Sequence, residues 1–243
     1  LMAHFKPLYA VTVDYTKGGT GRGPDALLEK GDQVKVEATS SPGYGFKEWI
    51  ENGRVVSENP VHIFKVEGNH HLTARFLPIY KLNVLATEGG KAFASHEEAL
   101  EGTEVNVVAV ADPGYAFVGW SEGGKRLATG IDIDLGFAFI SIPLSYINTT
   151  EYSFTLDRDR TLVAEFVEAY PVEVNVAGNV GGSVKTPAGP ALKGRKSVII
   201  AVPDEGYLFD RWTEGDKEYY GEVFTFWGDR HLKLTAHFIP GIR

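Results

Sequence analysis

The heptapeptide Gly-Tyr-x-Phe-x-x-Trp occurs three times in this chain, at Gly43 to Trp49, Gly114 to Trp120 and Gly206 to Trp212, and it holds three of the four tryptophans. Four fixed positions do not recur three times by chance in 243 residues, so the chain is a tandem repeat and not one large domain. The rest of each repeat falls into register with the heptad. A Gly-Gly pair lies 24 residues upstream, counted from its second glycine (Gly18-Gly19, Gly89-Gly90, Gly181-Gly182), and a lone glycine lies 12 upstream (Gly31, Gly102, Gly194). Each repeat closes on Leu-x-Ala-x-Phe, at Leu72 to Phe76, Leu162 to Phe166 and Leu234 to Phe238.

The same ending opens the chain as Leu1 to Phe5, with no repeat before it. Residues 1–7 therefore read as the terminal strand of a preceding, truncated repeat, followed by modules at 8–78, 79–168 and 169–243. From Trp to the closing Phe takes 27 positions in the first module and 26 in the third, but 46 in the second. The second module thus carries an insertion of roughly twenty residues around 123–151.

Each module opens with period-two alternation, in Tyr9 to Tyr15, Tyr80 to Val84 and Tyr170 to Val176, the signature of a half-buried strand. The Gly-Gly pair supplies a hairpin turn, because glycine reaches positive φ without a Cβ clash. Central strands follow at Gln33 to Ala38, Glu104 to Ala109 and Ser197 to Val202, the last with apolar residues on both faces. Strands at Val61 to Val66, Tyr152 to Leu156 and Val223 to Trp227, with the closing motif, complete the set. Asp25 to Glu29 and His96 to Leu100 are the best helix candidates, and both are too short to stand alone. The expectation is a tandem, elongated array of three small antiparallel all-β modules with at most one helical turn in each.

A module of about 70 residues buries only roughly 60% of its unfolded surface and is marginal on core alone. Large aromatics compensate: a buried Trp brings a gross gain of ~4–6 kcal/mol. The heptad side chains Tyr44, Phe46, Trp49, Tyr115, Phe117, Trp120, Tyr207, Phe209 and Trp212 are therefore read as core anchors. Residues spaced by two and then three cannot share one face of a regular strand, so a bulge is expected at the x-x before Trp. The competing reading is an exposed aromatic shelf that stacks on sugars.

The ordered set of Gly-Gly, Gly, heptad and Leu-x-Ala-x-Phe resembles the divergent branch of the internalin-type B repeat over nearly the whole chain. The resemblance implies a β-grasp-like fold with little or no helix, and a place in secreted or surface-anchored bacterial proteins. It implies a rigid spacer or adhesion segment, not an enzyme, and brings no catalytic or ligand residues, no cofactor and no metal. Partners would be flanking repeats of the same chain, and a host or cell-surface protein or a glycan.

Positions outside the repeat pattern are where a specific activity would lie. The insertion contributes Phe137, Phe139 and Tyr146, and the third module contributes Tyr219, Tyr220 and Trp227. These six form the candidate interaction surface for a protein- or carbohydrate-binding alternative. Other chemistry is weakly supported. The absence of cysteine removes disulfides and thiol chemistry. A net charge of −8 argues against nucleic acid, which needs clustered Lys and Arg. No run of apolar residues is long enough for a membrane-spanning helix. His70 and His71 are adjacent, so on a strand their rings oppose. His4 and His237 fall at a variable position of the closing motif. Asp132-Ile-Asp134 and Asp157-Arg-Asp159 are calcium candidates of a kind that surface turns carry routinely.

Overall fold

The computed structural model describes residues 6–127 and 151–241. The Leu1–Phe5 motif, Asp132 and Asp134, and Phe137, Phe139 and Tyr146 lie outside the described residues. Those described are all-β, and their only helical element is a 3-10 turn at Ala177–Asn179. The two helix candidates are strands instead. Leu28–Glu29 pairs with Leu8–Tyr9, and Glu98–Leu100 pairs with Ile79 to Lys81 of a longer strand. Their neighbours offer open backbone groups, and satisfying those outweighs a single helical turn.

Two compact units are present, one of residues up to Leu82 with His96–Val105 and Ser153–Arg160, the other of the remainder. In the first unit, Val11–Tyr15 runs parallel to the front of the strand His70–Ala86, with Val11 opposite His70 and Tyr15 opposite Ala74. Tyr44–Glu51 lies antiparallel on the other side of that strand, with Arg54–Ser57 as its hairpin partner. Gly19–Arg22, Gln33–Ser40 and Val61–Lys65 make a second, antiparallel sheet. Val34 and Val36 from this sheet meet Val11, Trp49, Leu72 and Ala74 from the other, and that is the core.

The second unit repeats the plan. Val172–Val176 is parallel to Leu232–Pro240, which pairs antiparallel with Tyr207–Glu214, and Lys217–Tyr219 completes the hairpin. Gly182–Lys185, Lys196–Pro203 and Val223–Trp227 form the three-stranded partner sheet. Trp212, Ile199, Ala201, Leu232, Leu234 and Ala236 are buried between them. The middle heptad strand, Tyr115–Glu122, pairs in the same manner with Arg160–Tyr170.

Every heptad strand is bulged at the equivalent residue. Register shifts fall between Phe46 and Glu48, between Phe117 and Gly119, and between Phe209 and Arg211, so Lys47, Val118 and Asp210 are the extra residues. The bulge resets the alternation and returns Trp to the face that already carries Tyr and Phe. The three tryptophans are fully buried, whereas the heptad Tyr and Phe residues are half-buried at the margin of the core. Each Phe ring sits 5.1–5.8 Å from its Trp and 5.7–5.8 Å from the closing Phe of its own repeat.

The Gly-Gly pair explains why these motifs travel together. A Cβ on Gly18, Gly89 or Gly181 would stand 2.2, 1.9 or 2.6 Å from the ring of the heptad Tyr44, Tyr115 or Tyr207. A Cβ on Gly19, Gly90 or Gly182 would stand 2.4–2.5 Å from the ring of the closing Phe76, Phe166 or Phe238. The first glycine is thus a seat for Tyr and the second a seat for Phe. Three motifs scattered along the sequence form one packing unit.

Leu77-Pro78 and Val167-Glu168, which follow the closing motifs of the first and second repeats, lie inside strands, opposite Gly45-Tyr44 and Ala116-Tyr115. Pro78 lacks an N–H, but its carbonyl accepts from Glu101 at 2.8 Å and the next N–H, of Ile79, donates to Gly43 at 2.9 Å. The ladder closes around the proline. In the second unit, Ala191–Leu192 pairs with Ala169-Tyr170. There Glu168 accepts from the Tyr170 hydroxyl at 2.5 Å and pairs with Lys193.

The Lys193 hydrogen bond, and after it that of Tyr170, holds the Glu168 carboxyl below its usual 4.5. A depressed carboxylate adds stability that is complete above the unfolded value and is lost as pH falls through the lower folded one. Glu168→Gln should therefore lower stability at neutral pH and flatten its fall below about pH 4.5. Chemical denaturation of parent and variant at pH 7 and pH 3.5 checks this, and equal differences at both pH values would refute it.

Candidate interaction surface

The three aromatic candidates of the third module have different fates. Lys217–Tyr219 pairs with the heptad strand so that Tyr219 stands opposite the buried Trp212. Its ring packs edge-on to Phe224 at 4.9 Å, and its hydroxyl donates to Glu214 at 3.0 Å. Arg230 closes on the same carboxylate from 3.1 Å. Burial, and after it the Glu214 hydrogen bond, raises the Tyr219 phenol above its ordinary value. Tyr219 is a wedge under the hairpin.

Tyr220 and Trp227 remain on the surface, 72% and 57% exposed. Tyr220 follows the hairpin strand, and its hydroxyl donates to Glu218 at 2.9 Å. Trp227 ends Val223–Trp227 in the other sheet, opposite Lys196. Among the described residues no ring contact joins Tyr220 and Trp227, and of the three candidates Tyr219 is the one that packs against another ring.

What surrounds Trp227 was only partly visible from the sequence. In Val223–Trp227 the alternation is strict: Phe224 and Phe226 are buried, and Val223, Thr225 and Trp227 point outward. Val198 and Ile200 of the central strand lie opposite Thr225 and Val223. Together Val198, Ile200, Val223 and Trp227 give the outer face of this sheet an apolar strip. Counted from the lone glycine of each repeat, the first module has Lys35 and Glu37 where the third has Val198 and Ile200. The fold does not require those outer positions to be apolar, and the apolar residues on both faces of Ser197 to Val202 were the signal.

Of the histidines and acidic pairs singled out above, the described ones have structural partners. His70 Nδ1 lies 2.8 Å from Glu51, with its ring against Phe64, while His71 contacts Thr12 and Asp14 on the other face. His237 Nε2 is 3.0 Å from the Thr213 hydroxyl. Asp159 accepts the Lys81 N–H at 2.8 Å, and Asp157 pairs with Arg158. Among the described residues no group of three His, Cys, Asp or Glu side chains could hold a metal ion, and no helix is long and apolar enough to cross a membrane.

A family model described as the divergent InlB B-repeat domain matches residues 9–79, 80–132 and 172–240. The chain belongs to this family. Its three B-repeat matches contain the three heptads, the shared element around which each packing unit forms. Among solved structures, the Bacillus anthracis TIE protein is similar over 95% of this chain and 49% of its own, at 9% identity and a TM-score of 0.24. The chain thus spans about half the length of that structure. A three-domain immunoglobulin segment of titin is similar over 98% of both chains, at 8% identity and a TM-score of 0.13. Likenesses this weak carry no argument. No curated protein matches the sequence.

Proposed function

We propose that this B-repeat chain is a non-enzymatic spacer segment of a bacterial secreted or cell-surface protein, holding other parts of that protein away from the cell. The observation that carries the reading is the absence of a free linker at either junction. His70–Ala86 runs as one strand from the closing motif of the first repeat into the opening strand of the second. Around Glu168, Tyr170 and Lys193 the second junction is bonded on both sides. Backbone held in a ladder has little freedom to swivel, unlike a Gly/Ser linker. The motifs that recur in each repeat serve packing, which suits a part whose work is geometric.

Small-angle scattering at low protein concentration tests the spacer role. A compact globule of this length would show a radius of gyration of about 18 Å. The spacer reading expects a value well above that, and one at or below it refutes the proposal.

A binding role is the second reading, favoured by the exposure of Tyr220 and Trp227. Its partner would be a host or cell-surface protein or a glycan. A glycan array probed with the parent and with a Tyr220→Ala, Trp227→Ala variant separates the sugar case. Signal lost in the variant supports it, and equal or absent signal rejects it.

A further inference from the structure

The outer strand Val223–Trp227 differs from its counterparts in a way that points to a partner. Like Val61–Lys65 and Glu151–Thr155 it is, among the described residues, paired on one side only, here with Lys196–Pro203. An exposed edge is a template for further pairing, and proteins usually block it with charge. The first repeat carries Lys65 in the equivalent strand and the second carries Glu151, whereas Val-Phe-Thr-Phe-Trp in the third has no charged residue. The repeats act as controls for one another: the fold permits a blocked edge, and the third module leaves it open.

Hydrogen-bond parity sets which groups point outward. Ala201 N–H donates to the Glu222 carbonyl, so Glu222, Phe224 and Phe226 make the bonds to the central strand. The backbone groups of Val223, Thr225 and Trp227 therefore face the open edge. These are also the three residues whose side chains stand on the outer face.

We infer that this edge pairs with the same edge of a second copy of the chain, antiparallel, across a two-fold axis at Thr225. The register puts Thr225 against the partner's Thr225 and Val223 against the partner's Trp227, using every free donor and acceptor of the three residues in about six main-chain bonds. Thr–Thr and aromatic–β-branched neighbours are both favourable cross-strand pairs. The two apolar strips then join into one, with Ile200, Val223, the partner's Trp227 and their symmetry mates in adjacent strands.

Charge is compatible with self-association. Lys185 lies opposite Ile200, and Lys196 opposite Trp227. Across the axis Lys185 and the partner's Lys196 are four strand spacings apart, about 19 Å. That exceeds the Debye length of ~8 Å at physiological salt, so the lysines flank the strip without repelling strongly. A five-residue edge buries far less than the roughly 800 Å² per partner of a stable interface. The association is accordingly weak, of a kind that becomes effective when many chains are displayed side by side.

Sedimentation velocity across ~5 μM to 1 mM, at low and physiological salt, tests the inference. The parent is expected to shift from the 26.6 kDa monomer toward a dimer in the upper part of that range. Thr225→Lys with Trp227→Lys alters only outward positions and should stay monomeric, while Ile63→Lys in the first repeat should dimerise like the parent. Because the chain has no cysteine, Thr225→Cys is a unique thiol. A short bis-maleimide should join two Thr225→Cys chains and should not join Thr20→Cys chains. A parent monomeric throughout overturns the proposal, as does a dimer that survives the double lysine change or a Thr225→Cys chain that fails to cross-link. Scattering at low concentration reads the monomer, so failure here and failure of the spacer role are distinguishable.

Discussion

Replacing Trp212 by alanine is expected to cost the third module ~3–5 kcal/mol, a large share of the roughly 5–15 kcal/mol that stabilises a whole domain. The indole is fully buried and lies against Phe209 at 5.1 Å and Phe224 at 6.2 Å. Truncation removes the transfer free energy of a large side chain and leaves a cavity that strands pinned on both sides cannot close. It also strands a carbonyl, because the Trp212 N–H donates to Gly221 at 3.0 Å across the hairpin loop. Trp49 makes the equivalent bond to Pro60 at 3.2 Å, so Trp49→Ala should behave alike in the first module. Trp227→Ala is the matched control. That ring is more than half exposed, and its loss should move stability by less than about 0.5 kcal/mol. Urea denaturation followed by far-UV circular dichroism reads all three.

Gly89→Ala should be nearly as damaging, for a different reason. Gly89 has a φ of +96°, and an added methyl would stand 1.9 Å from the Tyr115 ring. The left-handed backbone costs ~1–2 kcal/mol for a residue with a Cβ, and overpacking adds ~1–3 kcal/mol. The sum is about 2–5 kcal/mol. Gly102→Ala separates the two terms. It shares the positive φ, at +85°, but a methyl there meets nothing within 4 Å. It should cost only the backbone share. If both variants lose the same stability in chemical denaturation, the glycine is not a seat for the tyrosine.

The pair of glycines shows how far the sequence could be read. Their fixed distance from the heptad announced a repeat, and positive φ at a turn is a local property that glycine signals openly. The bulge was legible for a similar reason, since Tyr, Phe and Trp at spacings of two and three force one. Contacts of Gly89 with Tyr115, or Gly90 with Phe166, were not legible, because no local pattern encodes which distant ring lands on which glycine. The parallel pairing of Val11 with His70 was hidden for the same reason: local alternation specifies a face and says nothing about a neighbour some sixty residues away.

Pro78 shows a further limit of local reading. Proline inside an apparent strand argues for a break, and only the carbonyl contact with Glu101 and the Ile79–Gly43 bond show why the ladder continues. Among the surface aromatics, Tyr219 and Tyr220 are consecutive and chemically alike, so sequence could not say which one packs. Register decides it, by setting Tyr219 against Trp212.

The chain divides the labour among its aromatics: repeated ones build the modules, and the unrepeated Trp227 is the tryptophan that meets solvent. Acrylamide quenching of tryptophan fluorescence tests this most directly, comparing the parent with Trp227→Phe. The parent should show one readily quenched component over a protected, blue-shifted majority, and Trp227→Phe should lose the quenched component almost entirely. If quenching instead persists undiminished in Trp227→Phe, a heptad tryptophan is open to solvent, and the packing role assigned to the repeat is wrong.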